Sequence, residues 1–455
     1  MLTHPSMGMY ERLMDLERSG RRLRVVLVGA SGRMGQAIAL QIGKTPGMRL
    51  VAVAGRDLER TGRAADLHGH PWTEARTEPE VRAALRRGET IVTSDVSSLL
   101  ERGREAVDVL VEATGTVGYA AQVTEHALRR RIDVVLLNAE VQSVLGLHLE
   151  HVAQRTGAIL TSDAGDQHGV LLRMIDEMRL WGMEVVLAGN IKGFLDRYAT
   201  PDSIAGEAAK RRLNPVMCAA FTDGTKVSIE MALVANATGM LPIVRGMVGP
   251  RVKHVAEVGT VFDLPSLRPA GAVDYVLGAE PGGGVFLVGY HEHPLQHEYL
   301  RYYKMGDGPF YVAYRPYHLC HLETPLAIAT SVLERSPILA VQHPPVADVP
   351  AFAKADLAAG TEIAIGIGGP HVYGQVDHAA ACVTAGAVPI ALIESVSGRS
   401  PRLRRAVTRD ELITWDDIEL PESRHLDAWR AQQRLADAAP PWLREGAPRS
   451  HAVFV

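Results

Sequence analysis

The sequence predicts an α/β protein in three parts. A Rossmann-like doubly wound parallel sheet opens it, an α+β catalytic and oligomerisation domain follows, and a small β-rich module closes it. Three observations carry this prediction. At 23–54 an apolar run, a glycine-rich turn opening a helix and a second apolar run follow one another. The length, 455 residues, exceeds one ordinary core. After the proline-rich stretch "VQHPPVADVP" at 341–350, the pattern changes to short β runs between turn residues. The expected divisions are a helical extension at 1–22, a nucleotide-binding domain at 23–160, a catalytic, substrate and dimerisation domain at 161–340, and the terminal module at 341–455.

Composition narrows the function. Apolar residues make up 47% and charged ones 22%, with a net charge of −4. Nothing in that balance favours a nucleic-acid or membrane partner. Cys218, Cys320 and Cys382 lie far apart with no CxxC spacing. They fit a reduced cytoplasmic protein and neither a disulfide scaffold nor a zinc module. The first residues, "MLTHPSMGMYERLMDLERSGRRLR", are charged and amphipathic, which suits a short helix rather than a signal peptide. No apolar run approaches the ~18 residues of a membrane span.

The first domain begins with "LRVVLVG" (23–29), a buried-strand run, then "ASGRMGQAIALQIGKT", then the strand run "MRLVAVAGRD". Gly29, Gly32 and Gly35 have G-x-x-G-x-x-G spacing. Gly29 suits a tight turn, Gly32 a close approach to a pyrophosphate, and Gly35 close packing of helix on strand. The turn places Ser31, Arg33 and Met34 beside the phosphates, at a helix N-terminus. NAD sites favour an acidic residue at the end of the second strand. Here Arg56 precedes Asp57. Arg56 suits a 2′-phosphate and favours NADP, with Arg33 a helper, while Asp57 keeps NAD open. "AVDVLVEATG" (106–115) reads as another parallel strand, ending at Ala113, Thr114 and Gly115 near the nicotinamide. "RIDVVLLNAEV" (131–141) reads as the next, with Asn138 and Glu140 at its ligand-facing end.

Three polar clusters mark the middle domain. "LTSDAGDQHG" carries Asp163, Asp166 and His168 in a loop. In "VVLAGNIKGFLDRY" an apolar strand runs into Asn190 and Lys192. "FTDGTKVSIEMALVANATG" (221–239) reads as one helix, on which Asp223, Lys226 and Glu230 fall within about 60° of each other. Carbonyl reduction needs a donor to the developing alkoxide, and a lysine ammonium is both electrostatic partner and proton source. Lys192 and Lys226, with Asp223, Asp166 and His168, are the catalytic candidates. Asp163, Asp166 and Glu230 could instead gather a divalent cation, Mg²⁺ or Mn²⁺. Asp223 as a helix cap and Lys226–Glu230 as a surface pair is the plainer alternative. "YYKMGDGPFYVAYRPYHL" reads as a hairpin turning at "MGDG". Lys304, Arg315 and His318 there, with Asn190, are substrate candidates suited to an anionic or phosphorylated small molecule.

"GASGRMG" resembles dihydrodipicolinate reductases, and the longer layout resembles homoserine dehydrogenases. "AKADLAAGTEI" and "LITWDDIEL" resemble a SAF domain over about 80 residues. The ordered set GASGRMG, VEATG, LLNAE, SDAGDQHG, AGNIKGFLD, FTDGTK, KMGDGP and RPYHL is similar to homoserine dehydrogenase-like proteins with a C-terminal SAF domain. That group includes 1-deoxy-D-xylulose 5-phosphate reductoisomerase-like enzymes, which open the methylerythritol phosphate route to isoprenoids. The resemblance implies an NADP-dependent, homodimeric oxidoreductase acting on a small carbonyl substrate, with divalent-metal dependence. It also matches Lys192 and Lys226 to the two catalytic lysines of homoserine dehydrogenases. A homoserine dehydrogenase-like or other hydroxy-acid or sugar-acid dehydrogenase is the alternative.

Overall fold

The computed structural model describes residues 8–341 and 343–439. Residues 1–7 and 440–455, at the outer ends of the expected extension and terminal module, lie outside the described residues. The chain divides into two units, neither contiguous in sequence. The first takes residues up to 142, 148–169 and 319–340. The second takes 143–147, 170–318 and everything from 341. A linear division at 160 and 340 thus does not contain the return of 319–340 to the first unit.

The first unit is built on seven parallel strands: β1 (Leu23–Val28), β2 (Met48–Ala54), β3 (Trp72–Glu74), β4 (Thr90–Thr93), β5 (Val109–Glu112), β6 (Asp133–Leu136) and β7 (Leu160–Ser162). Their order is β3–β4–β2–β1–β5–β6–β7, with each adjacent pair parallel. Helices cover both faces of such a sheet, so its central strands are continuous apolar runs. The order reverses between β1 and β5, which makes the end of those strands the switch point. The core joins Val25, Leu27, Ile38, Ile42, Leu50 and Val111 to Ala327 and Ile328 of the helix Cys320–Ala329. That helix anchors the returning segment. At the other end of the sheet, the buried Asp133 accepts from Ile159 N at 2.8 Å and Arg104 Nη2 at 3.0 Å, and pairs with Arg335. The N-terminal helix, Met9–Arg18, buries Leu13 and pairs Arg12 with Glu334 at 2.7 Å.

The second unit has a mixed sheet of β8 (Glu184–Lys192), β9 (Leu241–Pro242), β10 (Ala272–Leu277), β11 (Val285–Tyr290) and β12 (Phe310–Arg315), in the order β12–β11–β8–β10–β9. β8 runs parallel to β10 and antiparallel to β11. Val186, Leu187, Ile191, Val276, Phe286 and Val288 belong to its core. Past 341 come β13 (Ala347–Asp348), β14 (Ala351–Ala353), β15 (Val372–Gly374), β16 (Asp377–His378), β17 (Arg402–Leu403) and β18 (Ile418–Glu419). They pair antiparallel in three two-stranded sheets. The helix Arg424–Ala438 follows. No helix among the described residues is long and apolar enough to cross a membrane.

Two local expectations are corrected. The stretch 221–239 is not one helix. Pro215–Thr222 ends at Asp223, Gly224 turns the chain at φ +86°, and Thr225–Thr238 begins afresh. Asp223 therefore lies outside the helical strip of Lys226 and Glu230. The expected hairpin at 302–319 is also absent. Pro294–Tyr302 is a helix, started by the His293 ring accepting Leu295 N at 3.2 Å and by Pro294 in the first turn. The partner of β12 is β11.

Candidate active site

In the first unit the turn after β1 has the features a dinucleotide needs. Gly29 sits at φ +88°, and a Cβ there would lie 2.4 Å from Ala113 O at the end of β5. Only glycine lets β1 and β5 close at the switch point. A Cβ at Gly35 would lie 2.4 Å from Gly29 O, so helix and turn also close only with glycine. The helix Arg33–Lys44 starts after Gly32, and no side chain caps it. Its dipole faces the turn, where an anion is favoured. Ser31 packs beside the end of β2: a Cβ at Gly55 would meet its Oγ at 2.8 Å. Arg33, Met34 and Arg56 are exposed around that turn. Asp57 caps the helix Leu58–His68, accepting Arg60 N at 3.0 Å.

The loop Ala113–Gly115 is held from two sides. Glu112 Oε1 accepts Thr114 N at 2.8 Å. Asn138 Nδ2 donates to Thr114 O and Thr116 O, 3.1 Å each, while its Oδ1 accepts Val141 N and so caps Ala139–Thr156. Glu140 lies in the first turn of that helix. Glu112 is wholly buried, and burial pushes its carboxyl up to about 8. Glu112 is marked in the sequence only as the acid that closes the apolar run "VLVE".

The segment after β7 is buried rather than a solvated loop. Ser162 Oγ and His168 Nε2 share a hydrogen bond, and His168 Nδ1 lies 4.0 Å from Asp166 Oδ2. His168 sits in the first turn of the helix Gln167–Leu180. Asp163 accepts from Thr324 Oγ1 at 2.8 Å and Gly165 N at 3.0 Å, and burial pushes its carboxyl up to about 8. Both oxygens of the Asp163 carboxyl are thus engaged by donors of the protein itself.

In the second unit, β8 and the helix Thr225–Thr238 build a charged cluster inside an apolar shell. Asn190 and Lys192 alternate onto one face of β8. Asn190 Nδ2 donates to Glu230 Oε2 at 2.9 Å, and Lys192 Nζ donates to the same oxygen at 3.4 Å. Glu230 is 2% exposed and the Lys192 side chain 16%. Lys226, 7% exposed, stands one helical turn before Glu230 on the same face. The helix is buried from Thr225 to Asn236, so its two charges are not surface decoration. Asp223 is turned elsewhere. Its Oδ1 accepts Thr225 N at 2.8 Å and its Oδ2 lies 2.8 Å from the Lys354 ammonium. Burial raises its carboxyl, and Lys354 opposes that.

The substrate candidates separate. Val285 pairs with Asn190 on one side and Arg315 on the other, so these three share one sheet face. Arg315 then stands two strands, about 10 Å, from Asn190. Its guanidinium lies 4.7 Å from the ring centroid of Tyr317. His318 follows three residues past β12. Lys304 lies in the connection between the helix Pro294–Tyr302 and β12. Lys304 N donates to Arg301 O at 3.0 Å, and Lys304 takes φ +67°.

Two family models match the chain. Residues 31–162 match the NAD-binding domain of homoserine dehydrogenase. Residues 165–324 match the catalytic domain of oxidoreductase DRL. No curated protein matches. Among solved structures, Synechocystis biliverdin reductase with biliverdin and NADP⁺ is 20% identical, covering 39% of this chain and 49% of its own, at TM-score 0.26. The match thus spans about half the length of that reductase. A myo-inositol dehydrogenase from Corynebacterium glutamicum is 12% identical over 70% of this chain and 90% of its own, at TM-score 0.36. A DOX-P reductoisomerase with fosmidomycin and magnesium is 17% identical over 46% and 56%, at TM-score 0.33. These structural likenesses are too distant to carry an assignment. The two family models, a nicotinamide-nucleotide fold followed by an oxidoreductase catalytic domain, make the chain an NAD(P)-dependent oxidoreductase.

Proposed function

We propose that the chain reduces a small phosphorylated carbonyl compound with NADPH, of the class of 1-deoxyxylulose 5-phosphate, and so feeds isoprenoid precursor synthesis. The observation that carries this reading is the buried cluster of Lys192, Asn190 and Glu230, with Lys226 a turn away. When bound, the nicotinamide supplies the hydride. Lys192 holds a proton at Nζ for the alkoxide oxygen that forms. Glu230 fixes the direction of that ammonium, and Asn190 fixes Glu230. Lys226 adds a second positive charge for the developing oxyanion. Arg315, on the same sheet face as Asn190, pairs with the phosphate. NADPH over NADH is supported by exposed Arg56 and by the use of the Asp57 carboxylate as a helix cap. The segment past 341 is read as a SAF-like module, and the working form as a homodimer.

The test is NADPH oxidation by purified protein, comparing 1-deoxyxylulose 5-phosphate with aspartate semialdehyde, each with Mg²⁺ and with EDTA. Consumption with the sugar phosphate is expected. Consumption with the semialdehyde alone replaces this reading with a homoserine dehydrogenase-like one, which the match at 31–162 favours. Silence with both removes the sugar-phosphate reading.

A further inference from the structure

The helix carrying Lys226 and Glu230 is tied at both ends to the chain past 341. At its C-terminal end Asn236 uses both the oxygen and the nitrogen of its amide. Oδ1 accepts Val346 N at 2.8 Å and Ala347 N at 2.9 Å, and Nδ2 donates to Ala347 O at 3.1 Å. At its N-terminal end Thr225 Oγ1 accepts Gly374 N at 2.8 Å. A Cβ at Gly374 would meet Val349 Cγ1 at 2.7 Å and Thr225 Cγ2 at 3.2 Å, so strand β15 lies hard against the helix start.

Lys354 stands between these ties, directly after β14, and is 4% exposed. Its ammonium donates to Ala199 O at 2.6 Å and Gly369 O at 2.8 Å. The Asp223 carboxylate completes the surroundings as an ion pair at 2.8 Å. The three acceptors come from three segments. Ala199 lies seven residues after Lys192 in the chain. Asp223 precedes the Lys226–Glu230 helix, and Gly369 belongs to the terminal segment itself. A further bond, Asp196 N to Thr222 O at 2.8 Å, joins the first two segments beside the ammonium.

Removing an ammonium from water is costly, and an apolar side chain of similar volume often stabilises a fold as well or better. Burial of Lys354 is thus poorly explained by stability. What an ammonium adds is direction: several acceptors held around one point. We propose that Lys354 is a positioning residue of the reductase site, and that the terminal module serves to clamp the segment after Lys192 and the start of the Lys226–Glu230 helix in one register. This rests on the reading of Lys192, Lys226 and Glu230 as the reducing cluster.

The test is Lys354→Met in the full chain, which keeps length and removes charge. Amide hydrogen exchange is measured without substrate, and NADPH oxidation with 1-deoxyxylulose 5-phosphate. Exchange over Thr225–Glu230 is expected to rise about tenfold or more, while Arg33–Lys44 keeps its wild-type rates. The turnover number is expected to fall about tenfold or more at an unchanged KM for NADPH and a melting temperature within a few degrees of wild type. Wild-type exchange and turnover in the folded variant would overturn the proposal, as would faster exchange spread evenly over 170–439, which marks general destabilisation. If the wild-type protein does not oxidise NADPH with this probe, the functional reading falls by itself, and the exchange pattern alone decides on the clamp. Lys354→Arg is the second variant. It restores the cation, and recovery of part of the protection at Thr225–Glu230 is expected. If Lys354→Met does not fold, Lys354→Arg carries the test: exchange faster than wild type at Thr225–Glu230, with Arg33–Lys44 unchanged, supports the clamp, and faster exchange spread evenly over 170–439 overturns it.

Discussion

The ammonium of Lys192 stands 3.4 Å from Oε2 of Glu230, inside a unit whose surrounding helix is buried from Thr225 to Asn236. A carboxylate 2% exposed must have partners. Here it has Lys192 and Asn190, both from the end of one strand. The pair is a poor choice for stability alone, and a good one for holding a proton donor in a fixed direction.

Lys192→Ala is expected to lower turnover about 10²-fold or more, the scale of a lost general acid. NADPH affinity should hold, because the nucleotide turn belongs to the other unit. Lys226→Ala is expected to act the same way. Glu230→Gln keeps the shape and removes the charge, and should lower turnover with little change in KM. Steady-state kinetics with fluorescence titration of NADPH separates the effects. Near wild-type turnover in either lysine variant would make that lysine structural.

Arg56→Ala should weaken NADPH much more than NADH. A charge-assisted bond to a 2′-phosphate contributes about 1.5–3 kcal/mol, or about tenfold to 100-fold in affinity. NADH offers no phosphate there, so its affinity should stay nearly constant. Titration of both nucleotides against both proteins checks this. Equal weakening would remove the NADP preference.

The nucleotide fold was legible because its central strands are buried on both faces and read as unbroken apolar runs, and because Gly29 and Gly35 occupy positions that a Cβ would block. β3 was not legible: it is three residues long, with Trp72 exposed. The break at Asp223–Gly224 was hidden because both flanking helices are apolar, so the period runs on across the turn. Lys192 stood out as a lysine ending an apolar strand. Lys354, in "AFAKAD", carries the same signal, but a linear reading assigns it to a separate module. Its link to Asp223 spans more than a hundred residues and has no trace in local spacing. The expected hairpin was lost because 294–302 is a helix, started by His293 and Pro294, and β12 pairs with β11 instead.

Arg335 fastens the returning segment 319–340 to the first sheet through Asp133, with a further bond to Gly157 O at 2.6 Å. Arg335→Met leaves the buried carboxylate with Arg104 and Ile159 N. A loss of about 2 kcal/mol is expected for the charged bonds. In a unit of this size that lowers the melting temperature by several degrees. Calorimetry reads it. An unchanged transition would mean that the helix Cys320–Ala329 is held by its apolar contacts and the Thr324–Asp163 bond, without Arg335.

Glu112 predicts a pH dependence of stability. Burial raises its carboxyl from 4.5 to about 8 in the folded chain. Between those values the folded state keeps a proton that the unfolded state has lost, so stability falls as pH rises. The contribution is fully present below about pH 4.5 and is gone once pH passes about 8, with a slope of at most about 1.4 kcal/mol per pH unit. Asp163, pushed from 3.8 to about 8 by burial, adds to the same trend. Glu112→Gln removes one titration and keeps an oxygen to accept Thr114 N. Denaturant unfolding from about pH 5 to pH 8 should show wild-type stability falling more steeply than that of the variant. Parallel slopes would show that the Glu112 carboxyl is ionised in the folded protein, with a partner for its charge. The loop Ala113–Gly115 would then be held by a carboxylate and not by a neutral acid.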